Sequence, residues 1–162
     1  MNTITPCLWF DDQAEEAATF YTSVFPDSRI VEIGRYSEAG PGEPGSVMVV
    51  SFEINGQPFT ALNGGPLFTF DEAVSFQIPC DSQEQVDRYW DALVEGGEPA
   101  PCGWLKDRYG LSWQIVPTRL VEILKDAGSA RAARATAAMM QMKKIDIAEI
   151  ERAADATADA PA

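Results

Sequence analysis

The chain has 162 residues, 46% of them hydrophobic, which suits one ordinary domain or two small modules sharing a core and argues against disorder. Its net charge of −13, from 12 basic and 25 acidic residues, repels phosphate backbones, so no nucleic-acid partner is expected. The absence of histidine removes Ser-His-Asp and Cys-His pairs in their usual form and the commonest transition-metal ligand. Chemistry is left to carboxylates, Tyr, Lys, Cys or bound water, and a simple binding function gains weight.

The opening "MNTITPCLWFDD" has no basic region followed by an apolar stretch, and no run approaches the ~18–20 apolar residues of a membrane span. A cytoplasmic protein without a membrane partner is expected. Cys7, Cys80 and Cys102 are widely spaced and odd in number. They read as reduced, core-filling thiols, and without a C-x-x-C pair they predict no zinc site.

In chain order, "ITPCLWF" (4–10) alternates and is rich in β-forming residues, which predicts a strand. Asp11 and Asp12 end it and are placed to cap a helix. That helix, "DQAEEAATFYTSVFP", carries Ala14, Ala17, Ala18, Tyr21, Val24 and Phe25 at helical spacing, with Glu15 and Glu16 in its first turn. Pro26 stops it. "SRIVEIGRY" predicts a strand, and "SEAGPGEPGS" (37–46) a flexible loop. "VMVVSFEI" and "QPFTALNG" are two strands joined by the hairpin signal Asn55-Gly56.

After "GGP" (64–66) the order repeats. "AVSFQIPC" is a strand, and Asp81 with Glu84 forms a capping-box pattern. The next helix puts Val86, Tyr89, Trp90 and Leu93 on one face and ends at Gly96 or Gly97. "EPAPCGWLKD" is a shortened passage through the next two strand positions, with Trp104 on the loop before a last strand, "LSWQIVP". In the two halves Phe20-Tyr21 matches Tyr89-Trp90, Val24 matches Leu93, and Gly56…Phe59-Thr60 matches Gly110…Trp113-Gln114. Two copies of one pattern would share a core neither completes alone.

Past Pro117, "TRLVEILKD" is amphipathic and Gly128 breaks it. Ser129 is placed to cap "ARAARATAAMMQMKK", rich in alanine and carrying Met139, Met140 and Met142, and Asp146 to cap "IAEIERAA". The methionine face predicts packing on the chain's own core or on a partner. The final "DATADAPA" reads as frayed.

"LWFDDQAEEAATFYTSVFPDSRI", "ALNGGPLFTFDEAVSFQIPC", "EQVDRYWDALVEGGEPAPCGWLKDRYGLSWQIVP" and "MMQMKKIDIAEIERA" together resemble the PhnB-like family. That family belongs to the vicinal oxygen chelate superfamily, with glyoxalase I, extradiol dioxygenases and bleomycin-resistance proteins. Its members are often labelled 3-demethylubiquinone-9 3-methyltransferase. The resemblance implies an α+β fold: two βαβββ modules, 1–65 and 66–117, forming a cup-shaped mixed sheet, with a C-terminal helical extension, 118–162. In metal-using members the ligands project into the cup from the first and last strands of each module. Carried over by spacing, those positions are Thr5 and Thr60 in the first module and Ser75 and Gln114 in the second. All four are neutral, and neighbouring Asn63 and Gln77 are no better as ligands. An emptied metal site follows, with no cofactor.

The methyltransferase label implies a glycine-rich turn on a doubly wound sheet. The glycine pairs 64–65 and 96–97 instead read as an intermodule turn and a helix cap.

Strand alternation puts Thr5, Cys7 and Trp9 on one face, Ser75 and Gln77 on one face, and Gln114 with Ser112 and Val116 on another. A cup lined by these residues, with Trp104 closing its mouth, would be neutral and aromatic-edged, suited to a planar or amphipathic small molecule. Trp9, Trp90 and Trp113 also read as core residues. "WLKDRYG" reads as a solvated hairpin, or as placing Arg108 or Tyr109 at the rim against an anionic or phenolic group. A metal-free small-molecule-binding homodimer is therefore expected. The alternatives are an enzyme using carboxylate or Tyr acid-base chemistry or an unplaced metal, and an interaction module docking through the methionine-rich helices.

Overall fold

The computed structural model describes residues 4–156, as two compact units that divide between Phe70 and Asp71. The division falls beyond the Gly65/Pro66 boundary that the sequence suggests. Phe68 stands edge-on to Trp9 at 5.0 Å between ring centroids and Phe70 to Phe10 at 5.2 Å, so this segment stays with the first unit.

The first unit is β1 (Cys7–Phe10), α1 (Ala14–Val24), β2 (Arg29–Arg35), β3 (Val47–Ile54) and β4 (Gln57–Asn63). Its sheet runs β1-β4-β3-β2, with β1 parallel to β4 and the remaining pairs antiparallel. The predicted first strand is shortened. Pro6 has no N–H to give, though its carbonyl still accepts from Thr60 N at 2.9 Å. Leu8, Phe10, Phe52, Phe59 and Ala61 are buried with Ala14, Ala17, Ala18 and Tyr21 of α1, so one sheet face and one helix face form this core. Asn55 and Gly56 both take positive φ, 49° and 75°, as a two-residue type I′ turn demands.

The cap of α1 differs from expectation. Neither Asp11 nor Asp12 caps it, and Gln13 at the cap position makes no side-chain bond. Asn63 at the end of β4 takes that place: its Oδ1 accepts from Ala14 N at 2.8 Å, while its Nδ2 donates to Val47 O at 3.1 Å. The glycine pair is steric. A Cβ on Gly64 would collide with the Trp9 ring, and Gly65 has φ +88° and accepts from Trp9 Nε1 at 2.8 Å.

The second unit repeats this plan as β5 (Ser75–Cys80), α2 (Gln83–Val94), β6 (Glu98–Pro99), β7 (Trp104–Lys106) and β8 (Ser112–Pro117). The order is β5-β8-β7-β6, with β5 parallel to β8. Trp104 belongs to β7 and not to a loop. The capping box is Ser82 with Gln85, not Asp81 with Glu84: Ser82 Oγ accepts from Gln85 N, and Gln85 Oε1 accepts from Asp81 N at 2.8 Å. Val86, Trp90 and Leu93 of α2 are buried; Tyr89 lies half out.

The tail forms α3 (Thr118–Leu124), α4 (Ala130–Met139) and α5 (Ile147–Asp155). Ser129 and Asp146 cap α4 and α5 as the sequence predicts. Helix α4 ends at Met139, well before Lys144, because the chain turns to bring the Met142 and Lys143 carbonyls to Cys102 N and Gly103 N, at 2.8 and 2.7 Å. The tail's apolar face meets its own chain. Leu120, Ile123, Ala135, Ile145, Ile150 and Ala154 form a buried cluster, with Met139 and Met142 packed against it. Gln83 of α2 anchors it, donating to Ile145 O at 3.1 Å and accepting from Ile147 N at 2.9 Å. Lys144 lies 3.0 Å from Asp87. Of the terminal run read as frayed, residues 157–162 lie outside the described residues.

Candidate functional site

In β8, Trp113, Ile115 and Pro117 face the buried side of the sheet, so Ser112, Gln114 and Val116 face the other. The parallel register sets Ser75 beside Ser112, Gln77 beside Gln114 and Pro79 beside Val116. The antiparallel register sets Trp104 opposite Gln114 and Lys106 opposite Ser112. Ser75, Gln77, Gln114 and Trp104, all named from sequence, thus share one open sheet face.

Three polar side chains on that face, Ser75, Gln77 and Gln114, bond to one another. Gln114 Nε2 donates to Ser75 Oγ at 2.8 Å, and Gln77 Nε2 donates to Gln114 Oε1 at 3.3 Å. A polar residue in a strand is costly only when its groups go unpaired, and Gln114 pairs both ends of its amide. At the Val116 end the face opens into a concavity of about 440 Å³, floored by Gln77, Pro79 and Val116 and walled by Val121 and Glu122 of α3 and by Lys125 just past its end. At the Ser112 end lies a cavity of about 90 Å³ beside Trp104, Lys106, Glu72 and Glu98. Lys106 Nζ lies 2.6 Å from Glu72. That hydrogen-bonded pairing raises the Lys106 pKa and lowers that of Glu72, so both stay charged at neutral pH.

The other sequence candidates are elsewhere. Cys7, Trp9 and Thr60 share the outward face of the first sheet, with Cys7 opposite Thr60. Thr5 precedes β1 and is exposed. Asn63 pairs in register with Phe10, which puts it on the helix side, away from Thr60, with its amide committed to α1 and β3. Arg108 is not beside Gln114. It lies against Gly96 past the end of α2, 3.8 Å from Glu95, on the side that α2 covers.

The "KDRYG" run is not a fully solvated hairpin either. Asp107 is 2% exposed and accepts from Tyr109 N at 2.9 Å, Leu111 N at 3.1 Å and Trp113 Nε1 at 2.8 Å. This carboxylate builds the turn and anchors the core tryptophan. Its signal in the sequence was an Asp three residues before a Gly, a turn-forming spacing.

A divalent transition metal does not fit the positions carried over from the superfamily. Ser75 and Gln114 are neutral, and their oxygens accept from amide groups of the same row. Among the described residues no group of three or more His, Cys, Asp or Glu is placed to hold a metal. The cysteines are unpaired with each other. Burial, and after it the charge of Asp81, pushes the Cys80 thiol up to about 11, so it stays protonated and inert at neutral pH. A further concavity of about 440 Å³ in the first unit carries Asp11, Asp12 and Glu15 at the start of α1. The positive end of the helix is reason enough for carboxylates there.

The family model described as 3-demethylubiquinone-9 3-methyltransferase matches residues 2–116. The chain belongs to this PhnB-like family. A solved PhnB protein from Bacillus cereus, described by that same methyltransferase name, is 38% identical, with 72% of this chain and 99% of that one covered and a TM-score of 0.66. A protein from Pseudomonas aeruginosa is 19% identical over 72% of this chain and 98% of its own, with a TM-score of 0.60. The fosfomycin resistance protein FosX from Mesorhizobium loti is 18% identical over 71% and 90%, with a TM-score of 0.50. The last two share the fold alone. No curated protein matches. No described helix is long and apolar enough to cross a membrane.

Proposed function

We propose that this PhnB-like protein binds an uncharged small molecule, without a metal, on the open face of its second sheet. The observation that carries this reading is the Ser75–Gln114–Gln77 row, set along one face that ends in a concavity at each side. The row offers amide and hydroxyl groups in the absence of formal charge. Trp104 adds a ring, and Pro79 and Val116 an apolar floor, the mixture typical of small-ligand sites. Methyl transfer, named in the family's description, finds no support in the glycines. Gly64-Gly65 packs beside Trp9, and Gly96, with φ +76°, follows α2. Neither opens a helix toward a cofactor.

Metal analysis of protein purified without chelator tests the first part, and a stoichiometric divalent ion overturns it. Tryptophan fluorescence against a panel of aromatic metabolites tests the second. Quenching that disappears in Gln114→Leu is expected. A panel without any response, or quenching indifferent to Gln114, rejects the site. Self-association is part of the same proposal, supported by apolar Leu67 and Phe68 standing exposed on the first unit. Sedimentation of a monomer at micromolar concentration would refute it.

A further inference from the structure

The concavity at the Val116 end of the open face has a fixed wall and an apolar floor. Strand β8 passes into α3 without a loop, from Pro117 to Thr118. Leu120 and Ile123 bury the inner side of α3 in the tail cluster, and Arg119 ties the helix to Glu151 at 2.6 Å. Its outer side carries Val121, which is 44% exposed and borders the concavity. Pro79 and Val116, neighbours in register, form the floor. Apolar surface left open beside a preformed hollow is what a small ligand covers.

Most of the polar groups around this hollow are committed. Thr118 Oγ1 donates to Asp81 Oδ1 at 3.0 Å and to Cys80 O at 3.3 Å. Glu122 lies 3.1 Å from Arg119. Gln77 differs. Its Nε2 is turned to Gln114 Oε1 at 3.3 Å, and Gln114 is itself held by its Nε2 on Ser75 Oγ at 2.8 Å. The row orients the Gln77 amide with its nitrogen toward Gln114, so the carbonyl oxygen is the end left to present. Among the described residues Gln77 Oε1 meets no donor. Gln77 is exposed and stands two residues along β5 from Pro79, roughly 6.6 Å, about the reach of one substituted ring.

Charge and polarity narrow the ligand. Around the wall, Arg119 and Lys125 are offset by Glu122 and Glu151. In a chain of net charge −13, an anion gains nothing by entering. An ether or ketone oxygen would set its lone pairs against those of Gln77 Oε1. A hydroxyl would replace the water that this oxygen otherwise binds. We propose that the concavity takes the apolar body of an uncharged, hydroxyl-bearing aromatic molecule, of which a phenol is the simplest. Gln77 Oε1 accepts the hydrogen bond of that hydroxyl, and Gln114 is the positioning residue for the Gln77 amide. This rests on the small-molecule reading above and deepens it by naming the ligand group and the residue that selects it.

The test uses the full chain with 4-ethylphenol and 4-ethylanisole, which differ in the hydroxyl proton, followed by saturation-transfer NMR and by the side-chain amide signals of Gln77. The phenol should bind roughly 3- to 10-fold more tightly than the ether, the worth of a single hydrogen bond, and should shift the Gln77 amide. Gln77→Leu should erase that preference. Gln114→Leu should erase it too by releasing the Gln77 amide, whereas a merely structural role for Gln114 would move stability and leave the ratio in place. Val121→Ser should weaken both probes by the same factor, because the wall meets the ring and not the hydroxyl. If both probes bind the unaltered chain alike, or the preference survives Gln77→Leu, the acceptor is wrong while the binding face stands. Tighter binding of 4-ethylbenzoate than of the phenol, lost in Lys125→Ala, would overturn the proposal in favour of an anion site. If neither probe binds up to its solubility while the aromatic panel still quenches in a Gln114-dependent way, the concavity is the wrong place. If the panel is silent as well, the small-molecule reading falls and this inference falls with it.

Discussion

The β3–β4 and β7–β8 hairpins hold the same place in two sheets of the same strand order, yet they are built from opposite chemistry. In the first, Ile54 and Gln57 close a two-residue Asn55-Gly56 turn, and Phe52 stacks on Phe59 at 5.5 Å. In the second, register sets Leu105 opposite Trp113 as Phe52 is opposite Phe59, but the position of Ile54 is taken by Asp107. The turn there is one residue longer. Gly110 N bonds Asp107 O at 2.9 Å and Gly110 has φ +83°, a type I turn followed by a left-handed glycine. The buried carboxylate then holds Trp113 by its indole N–H. One topology thus tolerates an apolar plug or a polar bracket at the same point, provided every buried donor is met. The fold does not dictate the chemistry of its faces.

The strongest way to break this contrast is to make the second hairpin like the first. Asp107→Leu strips an acceptor from three donors and should cost about 3 kcal/mol in urea denaturation. Adding Trp113→Phe should restore part of that loss, because the indole donor goes with its partner. A double variant no better than the single would mean that the backbone bonds of Tyr109 and Leu111 alone account for the role of Asp107.

A smaller effect separates the helix starts. Helix α1 borrows its cap from Asn63, remote in sequence, and α2 is capped locally by Ser82. Asn63→Ala should cost about 1–2 kcal/mol, since Val47 O also loses its donor, and Ser82→Ala about 1 kcal/mol. Equal losses in chemical denaturation would remove the distinction.

The open faces should differ in function more than in stability. Gln114→Leu should change stability by under about 1 kcal/mol while abolishing the ligand response of tryptophan fluorescence. Thr60→Leu, at the matching place in the first sheet, should leave both in place. A ligand response lost in Thr60→Leu and kept in Gln114→Leu would move the site to the first unit.

The smallest effect is local to the tail. Bonds from Gln83 and then from Lys144 hold the Asp87 carboxyl below its ordinary value. Because the folded value is the lower one, the stabilisation is complete above the ordinary carboxylate value. It is lost as pH falls through the depressed value. Hydrogen exchange in α4 and α5 should therefore rise only at strongly acid pH, and Asp87→Asn should flatten that rise. An unchanged profile in the variant would assign the acid response to other carboxylates.

Much of this was legible in the chain. Alternation and helical spacing located the strands and helices, and the match of Gly56…Thr60 with Gly110…Gln114 anticipated two modules of one pattern. Ser129 and Asp146 announced their helices by standing next to them. What was hidden depended on partners distant in sequence. Asp11 and Asp12 look like caps for α1, but Asn63 reaches Ala14 from the far end of β4. A charged "KDRYG" looks solvated, and only the return of β8 places the Trp113 indole over Asp107. Arg108 looked like a rim residue because its neighbours in sequence approach the open face, whereas the turn sends it toward α2.

By itself, the sequence determined most of the secondary structure and the repeated module, because periodicity and turn chemistry are local properties, and its motifs carried the family resemblance. Carried over by that resemblance, the superfamily's metal positions fall on neutral side chains. Tertiary structure alone decided which of those side chains meet. Strand register joins Ser75, Gln77 and Gln114 into one bonded row, turns Asn63 to the opposite side of its sheet, and leaves Ser112 beside a cavity without a partner. Hydrogen bonding across strands depends on register and on what covers each face, and neither is written in any one segment.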